Sequence, residues 1–490
     1  MFEAAEIGNA IDKKTYKAEA PKTRGALLDM QRSMTERGLA VCVIIGGVEG
    51  AGKSETLNVL LEWMDPRGIQ THALREPTDE ERDRPYMWRY WRLLPPKGRM
   101  GIFLGTWYSQ PMMDLFRGAL RSEVDLVLER AVDFERMLHA EKTLVIKIWL
   151  HLSKSEQNAR LKELEQDPDR RWRVTEADRM YRKHYDRIRE IAEHTLRRTG
   201  TAEAQWHIVE GTDPRYRQLT VAQVILKSVN DRIAQLSKEA TRPAPKPDRP
   251  KPARVNLLNR LDLSLSLKRD DYEKKLNKLQ GRIAKLTRRL HRHGRSMVLV
   301  MEGPDAAGKG GAIRRLIHPM DARDYQVVAI AAPTDEERAH PYLWRFWRHI
   351  PGHGRITIFD RSWYGRVLVE RIEGFCRPEE WKRAFAEINA FEQQLADAGS
   401  IVQKFYLSIS PDEQLRRFED RQQTPYKQYK INEEDWRNRE KWDAYEAAAC
   451  EMIEKTSSES APWVLVEANN KLWARIKVLK AVADRLEEAL

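Results

Sequence analysis

At 490 residues the chain is about three times the length of a typical domain. With 41% hydrophobic and 33% charged residues, its composition is that of a folded globular protein, not a disordered one. The longest apolar run, residues 39–48, is about half of what a membrane-spanning helix needs, so no helical anchor is expected. A net charge of +12 points to a polyanionic partner. In the absence of a helix-turn-helix signature, zinc finger or stacking-aromatic sheet motif, nucleic acid is not the expected one.

The N-terminus, MFEAAEIGNAIDKK, lacks the basic start and apolar core of a signal peptide, so a cytoplasmic protein is expected. Residues 40–45 form a short apolar run that predicts a strand. It ends in Gly47-Val-Glu-Gly-Ala-Gly52-Lys53-Ser54, which fits the whole phosphate-binding pattern GxxxxGK[ST] and precedes helical sequence. Further strands are predicted at 100–104, 144–152 and 206–209. Cys42, Cys376 and Cys450 are odd in number and scattered, with no CxxC pair, which predicts reduced thiols and no zinc site.

Residues 241–254, TRPAPKPDRPKPAR, are rich in proline and basic side chains and predict a semi-rigid linker between a first domain, 1–240, and a second, 255–490. Residues 270–291 then predict a basic amphipathic helix, with Tyr272, Leu276, Leu279, Ile283, Leu286 and Leu290 at three- and four-residue steps. A strand at 297–301 leads into Gly303-Pro-Asp-Ala-Ala-Gly308-Lys309-Gly310-Gly311. The loop amides and Lys309 of this pattern suit phosphate, but Gly310 stands where a hydroxyl would meet Mg²⁺.

The metal must then take other oxygens, and Asp305 in the loop and Asp360 at the end of the strand 356–359 are the candidates. Strands at 401–409 and 463–466 follow. Between them Arg416, Arg417, Arg421, Lys427 and Lys430 crowd a segment that predicts a cationic lid over a phosphate donor. Strands alternating with helices in both halves predict two tandem α/β domains, each a three-layer P-loop kinase-like fold with a parallel sheet.

The halves are copies. Residues 77–108 and 333–364 agree at nineteen of 32 positions with an offset of 256, which becomes 257 from the strand at 144–152 onward. The shared tryptophans, Trp344 and Trp347 in the second copy, are expected to serve packing. Where the second copy has Asp305, Asp360, Arg361 and Arg366, the first has Glu49, Leu104, Gly105 and Gln110. Loss of the strand-end acid and both arginines predicts a weak or silent first domain, despite its more regular loop.

Together GPDAAGKGG, PTDEER, FDRSWYGR, the GFC at 374–376 and the RRF…R…YKQYKI lid resemble the polyphosphate kinase 2 family, over nearly all of residues 257–490. The decayed first copy, GTWY for DRSWY, is similar to that family's two-domain class. The resemblance implies Mg²⁺-dependent phosphoryl transfer from inorganic polyphosphate to AMP, giving ADP. By position it makes Asp305 and Asp360 metal-binding, and Lys309 with Gly303, Gly308, Gly310 and Gly311 the cradle of the transferred phosphate. Arg361 and Arg366 would contact the acceptor phosphate, and Arg417, Arg421, Lys427 and Lys430 the polyanion. Gly365, where many members have Asn, and TPYKQYK bear on acceptor choice. An ATP-dependent nucleoside monophosphate kinase and a non-enzymatic polyanion-binding protein are the alternatives, and the sequence leaves a homo-oligomer open.

Overall fold

The computed structural model of the protein describes residues 1–169, 171–239, 246–248, 250, 256–425 and 433–490. The proposed linker lies mostly outside these residues. The chain divides into two compact units, Met1–Glu76 with Arg89–Arg242 and Thr334–Trp344, and Pro77–Trp88 with Pro243–Pro333 and Arg345–Leu490.

Each unit is built on one five-stranded parallel sheet. In the first, β1 (Ala40–Gly47), β2 (Ile69–Ala73), β3 (Met100–Leu104), β4 (Thr143–His151) and β5 (Trp206–Glu210) lie in the order 2-3-1-4-5. The second repeats it with β6 (Ser296–Glu302), β7 (Tyr325–Ala329), β8 (Ile356–Asp360), β9 (Ser400–Ser408) and β10 (Trp463–Glu467) in the order 7-8-6-9-10. All pairings are parallel, and β4 and β9 are buried along their whole length, as a sheet covered on both faces requires.

Alternation along β4 shows the two layers directly. Leu144, Ile146, Ile148 and Leu150 join a core with Leu219, Ala222, Ile225 and Val229 of the helix Pro214–Glu239. Lys147, on the opposite face, meets Glu135 of the helix Arg121–Ala140 at 2.7 Å. In the second unit Ile401, Phe405 and Leu407 face the helix Lys471–Ala489, while Lys404 meets Glu392 of the helix Pro378–Asp397 at 2.6 Å.

The predicted basic helix spans Arg269–Arg292 and packs through Ile283, Leu286 and Leu290 on its own domain, with Arg282 bonded to Asp484 at 2.6 Å. Trp347 packs edge-on against Phe391, as the packing expectation has it. Cys42, Cys376 and Cys450 are free and buried. Among the described residues no helix is long and apolar enough to cross a membrane.

Candidate active site

In the order 7-8-6-9-10 the chain leaves central β6 for β7 on one side and returns through β9 on the other. Its C-terminal edge is therefore where a ligand crevice forms. Gly303, the first residue past β6, has φ of +137°, and a Cβ there would lie 2.4 Å from the Leu407 carbonyl oxygen, so only glycine lets the loop turn against β9. The loop delivers Gly308 as N-cap of the helix Lys309–Ile317, which aims the helix N-terminus into the crevice.

Lys309 is nearly buried, its Nζ donating to the carbonyls of Gly303 at 2.6 Å and Pro304 at 3.2 Å. Burial pushes its ammonium down from the usual lysine range, and the nearby Arg361 charge adds to this. Asp305 is ion-paired with Arg361 and accepts from Asn438 Nδ2 at 3.1 Å. Burial alone would raise its carboxyl, but Arg361 and Lys309 hold it below the ordinary 3.8. Asp360 pairs in register with Met301 and Ala329 and ends β8 beside Gly310, whose Cβ would lie 3.8 Å from Asp360 Oδ2.

Two cavities meet at the Asp305–Arg361 pair. One, of about 630 Å³, is lined by Gly308, Gly310, Gly311 and Asp360, together with Lys309, Arg314, Arg361, Arg417, Arg421, Lys471 and Arg475, seven cations against the four carboxylates of Asp305, Asp360, Asp420 and Asp435. The other, of about 100 Å³, lies against Glu302, Tyr406, Asn438 and Tyr445. Among the described residues no cluster of three or more His, Cys, Asp or Glu stands ready to hold a metal. Two carboxylates beside a phosphate cradle still suit Mg²⁺, which usually takes one or two protein carboxylates and fills its shell with water and substrate phosphate.

Three expectations need correction or fall outside the structure. Arg417 does not project as a lid cation. It is buried, and its guanidinium donates to the carbonyls of Ala306 at 2.8 Å, Ala307 at 3.0 Å, Ala468 at 2.6 Å and Asn469 at 2.9 Å, and to Glu413 at 2.5 Å. It therefore pins the phosphate loop to the end of β10. Arg366 lines neither cavity: it closes the short 3-10 turn Trp363–Arg366 and pairs inward with Glu370 at 2.7 Å. Lys427 and Lys430 lie outside the described residues. Arg421 does line the basic cavity, from the helix Pro411–Gln423.

Several contributors were not picked out from the sequence. Glu302 ends β6 fully buried, accepts from Ser362 Oγ at 2.8 Å and has its carboxyl pushed up by burial. Its first-copy counterpart is Gly46, so the same offset comparison contained the signal. Lys471 and Arg475 come from the last helix, and only the fold brings them to the loop.

In the first domain internal carboxylates pair with the cations at the same loop. Lys53 is bound to Glu49 at 2.6 Å, since Gly105 offers no arginine to take that carboxylate. Glu55, the counterpart of Gly311, accepts from Arg160 at 2.9 Å and Arg217 at 2.8 Å, so an internal carboxylate occupies the cations beside the helix start.

Residues 10–237 and 266–490 each match the family model Polyphosphate kinase 2. A polyphosphate:AMP phosphotransferase of Pseudomonas aeruginosa PAO1 is 50% identical over all of this chain and 99% of its own length. Another, of Acinetobacter johnsonii, is 36% identical over 91% of each chain. A crystal structure described as a polyphosphate kinase 2 from Pseudomonas aeruginosa PA01 superposes with a TM-score of 0.89 at 48% identity, covering all of this chain and 99% of the other. With the strand-end acid, the loop lysine and the Asp305–Arg361 pair assembled in the second copy, and the match running through both copies, the chain belongs to the polyphosphate kinase 2 family.

Proposed function

We propose that the chain transfers a phosphoryl group from inorganic polyphosphate to AMP, giving ADP, and that the second domain does so. The observation that carries this is the basic cleft around Lys309, whose cations converge on the one strand end in the duplication that keeps its acid, Asp360. Relatives similar to this chain along its whole length carry the name of that activity.

An AMP phosphate oxygen attacks the terminal phosphorus of the polyphosphate, and the bridging P–O bond breaks. The chain leaves one unit shorter. The attacking oxygen is already ionised near neutral pH, since a phosphate monoester has its second pKa at about 6, so no strong general base is needed. The loop amides and Lys309 hold the transferred group, Arg361 sits between the two cavities to meet developing charge, and Arg314, Arg421, Lys471 and Arg475 receive the donor chain. Asp360 and Asp305 would hold Mg²⁺, which when bound neutralises phosphate oxygens.

The test is a donor panel: the full chain with AMP, Mg²⁺ and either polyphosphate or ATP. ADP is expected with polyphosphate, and ADP formed with ATP alone as donor refutes the reading. Lys309→Ala should abolish transfer, whereas Lys53→Ala, in the internally neutralised loop, should cost little.

A further inference from the structure

Where the second domain has two cavities that meet at Arg361, the first has one of about 390 Å³, which spans the counterparts of the smaller second-domain cavity and reaches those of Lys309, Gly310 and Asp360 in the basic one. The cause can be read position by position. Glu302 is replaced by Gly46 and Arg361 by Gly105, which removes the carboxylate and the guanidinium that fill the second-domain site. In the space so opened, Asn438 is replaced by Tyr181 and Tyr406 by Trp149, which adds aromatic surface to the wall.

Volume, lining and enclosure are those of a small-molecule site, which is typically about 300–1,000 Å³, mostly apolar, with a few polar groups to orient the ligand. Met112, Phe116, Trp149, Tyr181, Ile188 and Trp206 supply the apolar walls. Four residues of the same lining carry a buried polar atom with no hydrogen-bond partner: Trp149 Nε1, His151 Nδ1, Gln157 Oε1 and Arg189 Nε. Such atoms are normally paired, so four in one lining mark a place where a ligand or ordered water belongs. The lining also carries three cations: Lys53, taken by Glu49, Arg189, 3.4 Å from Glu3, and Arg75. A flat ring with donors and acceptors on its edge finds aromatic walls and hydrogen-bonding groups.

We propose that this first-domain cavity binds a purine nucleoside, with the ring between the aromatic walls. The choice of nucleoside rests on reading the second-domain side of the Asp305–Arg361 pair as the acceptor side. The experiment is photolabelling of the full chain with 8-azidoadenosine, followed by mapping of the labelled peptides. Label is expected within residues 105–116 or 181–191. Met113→Trp and Ile188→Trp, two separate ways of filling the cavity, should each cut that label tenfold or more while ADP formation is unchanged. Label confined to the second domain overturns the inference and leaves the acceptor reading standing. Label in neither domain overturns both. First-domain label that survives both folded tryptophan variants also overturns it.

Discussion

Gly311→Glu, which gives the second domain the first domain's Glu55, should cost it phosphoryl transfer. Gly311 is the third residue of the helix that follows the phosphate loop and has an ordinary φ, and its Cβ would sit 3.5 Å from Arg475 Nη2, in normal van der Waals contact. A glutamate in the first turn of a helix is favourable for the fold, so the variant should stay folded, with Arg475 as partner. Its carboxylate would nonetheless stand where the donor's phosphates are received. Two unit charges about 4–6 Å apart at an effective dielectric of about 20 repel by about 3–4 kcal/mol, which is a factor of about 10²–10³. The assay is steady-state ADP formation with polyphosphate varied at saturating AMP, and kcat/KM for polyphosphate should fall by that factor. Gly311→Ala is the control, because the Cβ itself fits. The loss with Glu should exceed the loss with Ala by at least tenfold and should shrink as salt is raised. Equal losses in the two variants would refute the charge argument and make Gly311 a steric requirement instead.

Asp360→Asn should lower the rate about 10²-fold or more at unchanged thermal stability, measured by single-turnover ADP formation alongside a melt. Arg417→Met should destabilise the second domain by about 3–5 kcal/mol, because four loop carbonyls and Glu413 lose a buried charged donor; hydrogen-exchange protection of residues 303–308 reads this locally. Glu413→Gln tests a pH dependence. Burial would raise the Glu413 carboxyl, but hydrogen bonds from Arg416 and Arg417 hold it below 4.5. A depressed folded pKa stabilises the native state above the unfolded value and ceases to do so as pH falls through the folded one. The stability gap between wild type and Glu413→Gln should therefore be full above about pH 5 and close on further acidification, in denaturant melts taken at each pH. Lys404→Met should leave Glu392 buried without its cation and cost about 3–5 kcal/mol in second-domain unfolding.

The parts of the fold legible in the sequence are those where burial is symmetrical. β1, β4, β6 and β9 are covered on both faces and read as apolar runs, whereas the edge strands β2 and β7 are half exposed: β2 has no such run, and the one at 327–332 overlaps only the end of β7. Asp360 was legible because it is an acid at the end of a buried strand with an apolar partner in the other copy. Charge at the surface of a helix was less so. Arg417 and Arg421 are one turn apart on Pro411–Gln423 and both reach the cleft wall, yet Arg417 commits its guanidinium to the loop backbone, and a count of basic residues cannot separate them. Arg366 is placed outside both cavities for a related reason. It follows Arg361 closely in sequence, but the 3-10 turn between them carries it to Glu370, away from the cleft.

The two halves of the DRSWY motif do different physical work. Trp363 and Tyr364 both donate to Glu392, which is held by Lys404, which in turn donates to the Thr456 carbonyl at 2.6 Å. Trp107, Tyr108, Glu135, Lys147 and Thr199 repeat the network in the first domain, so this half of the motif belongs to the folding core and persists whether or not the domain works. Asp360 and Arg361 are instead exchanged for Leu104 and Gly105 in the first copy, and the backbone records it. Arg361 has φ of +64° and Ala306 +62°, left-handed conformations that cost a non-glycine residue about 1–2 kcal/mol, and both stand at the loop crevice. Their first-domain counterparts, Gly105 at +81° and Gly50 at +86°, keep the same turns without that cost. A strained arginine is retained where its guanidinium meets Asp305 between two cavities, and glycine relieves the strain where no such encounter remains. The exchange of this arginine for Gly105 takes the same guanidinium from beside the phosphate loop and from the wall of the first-domain cavity, so one substitution reshapes both.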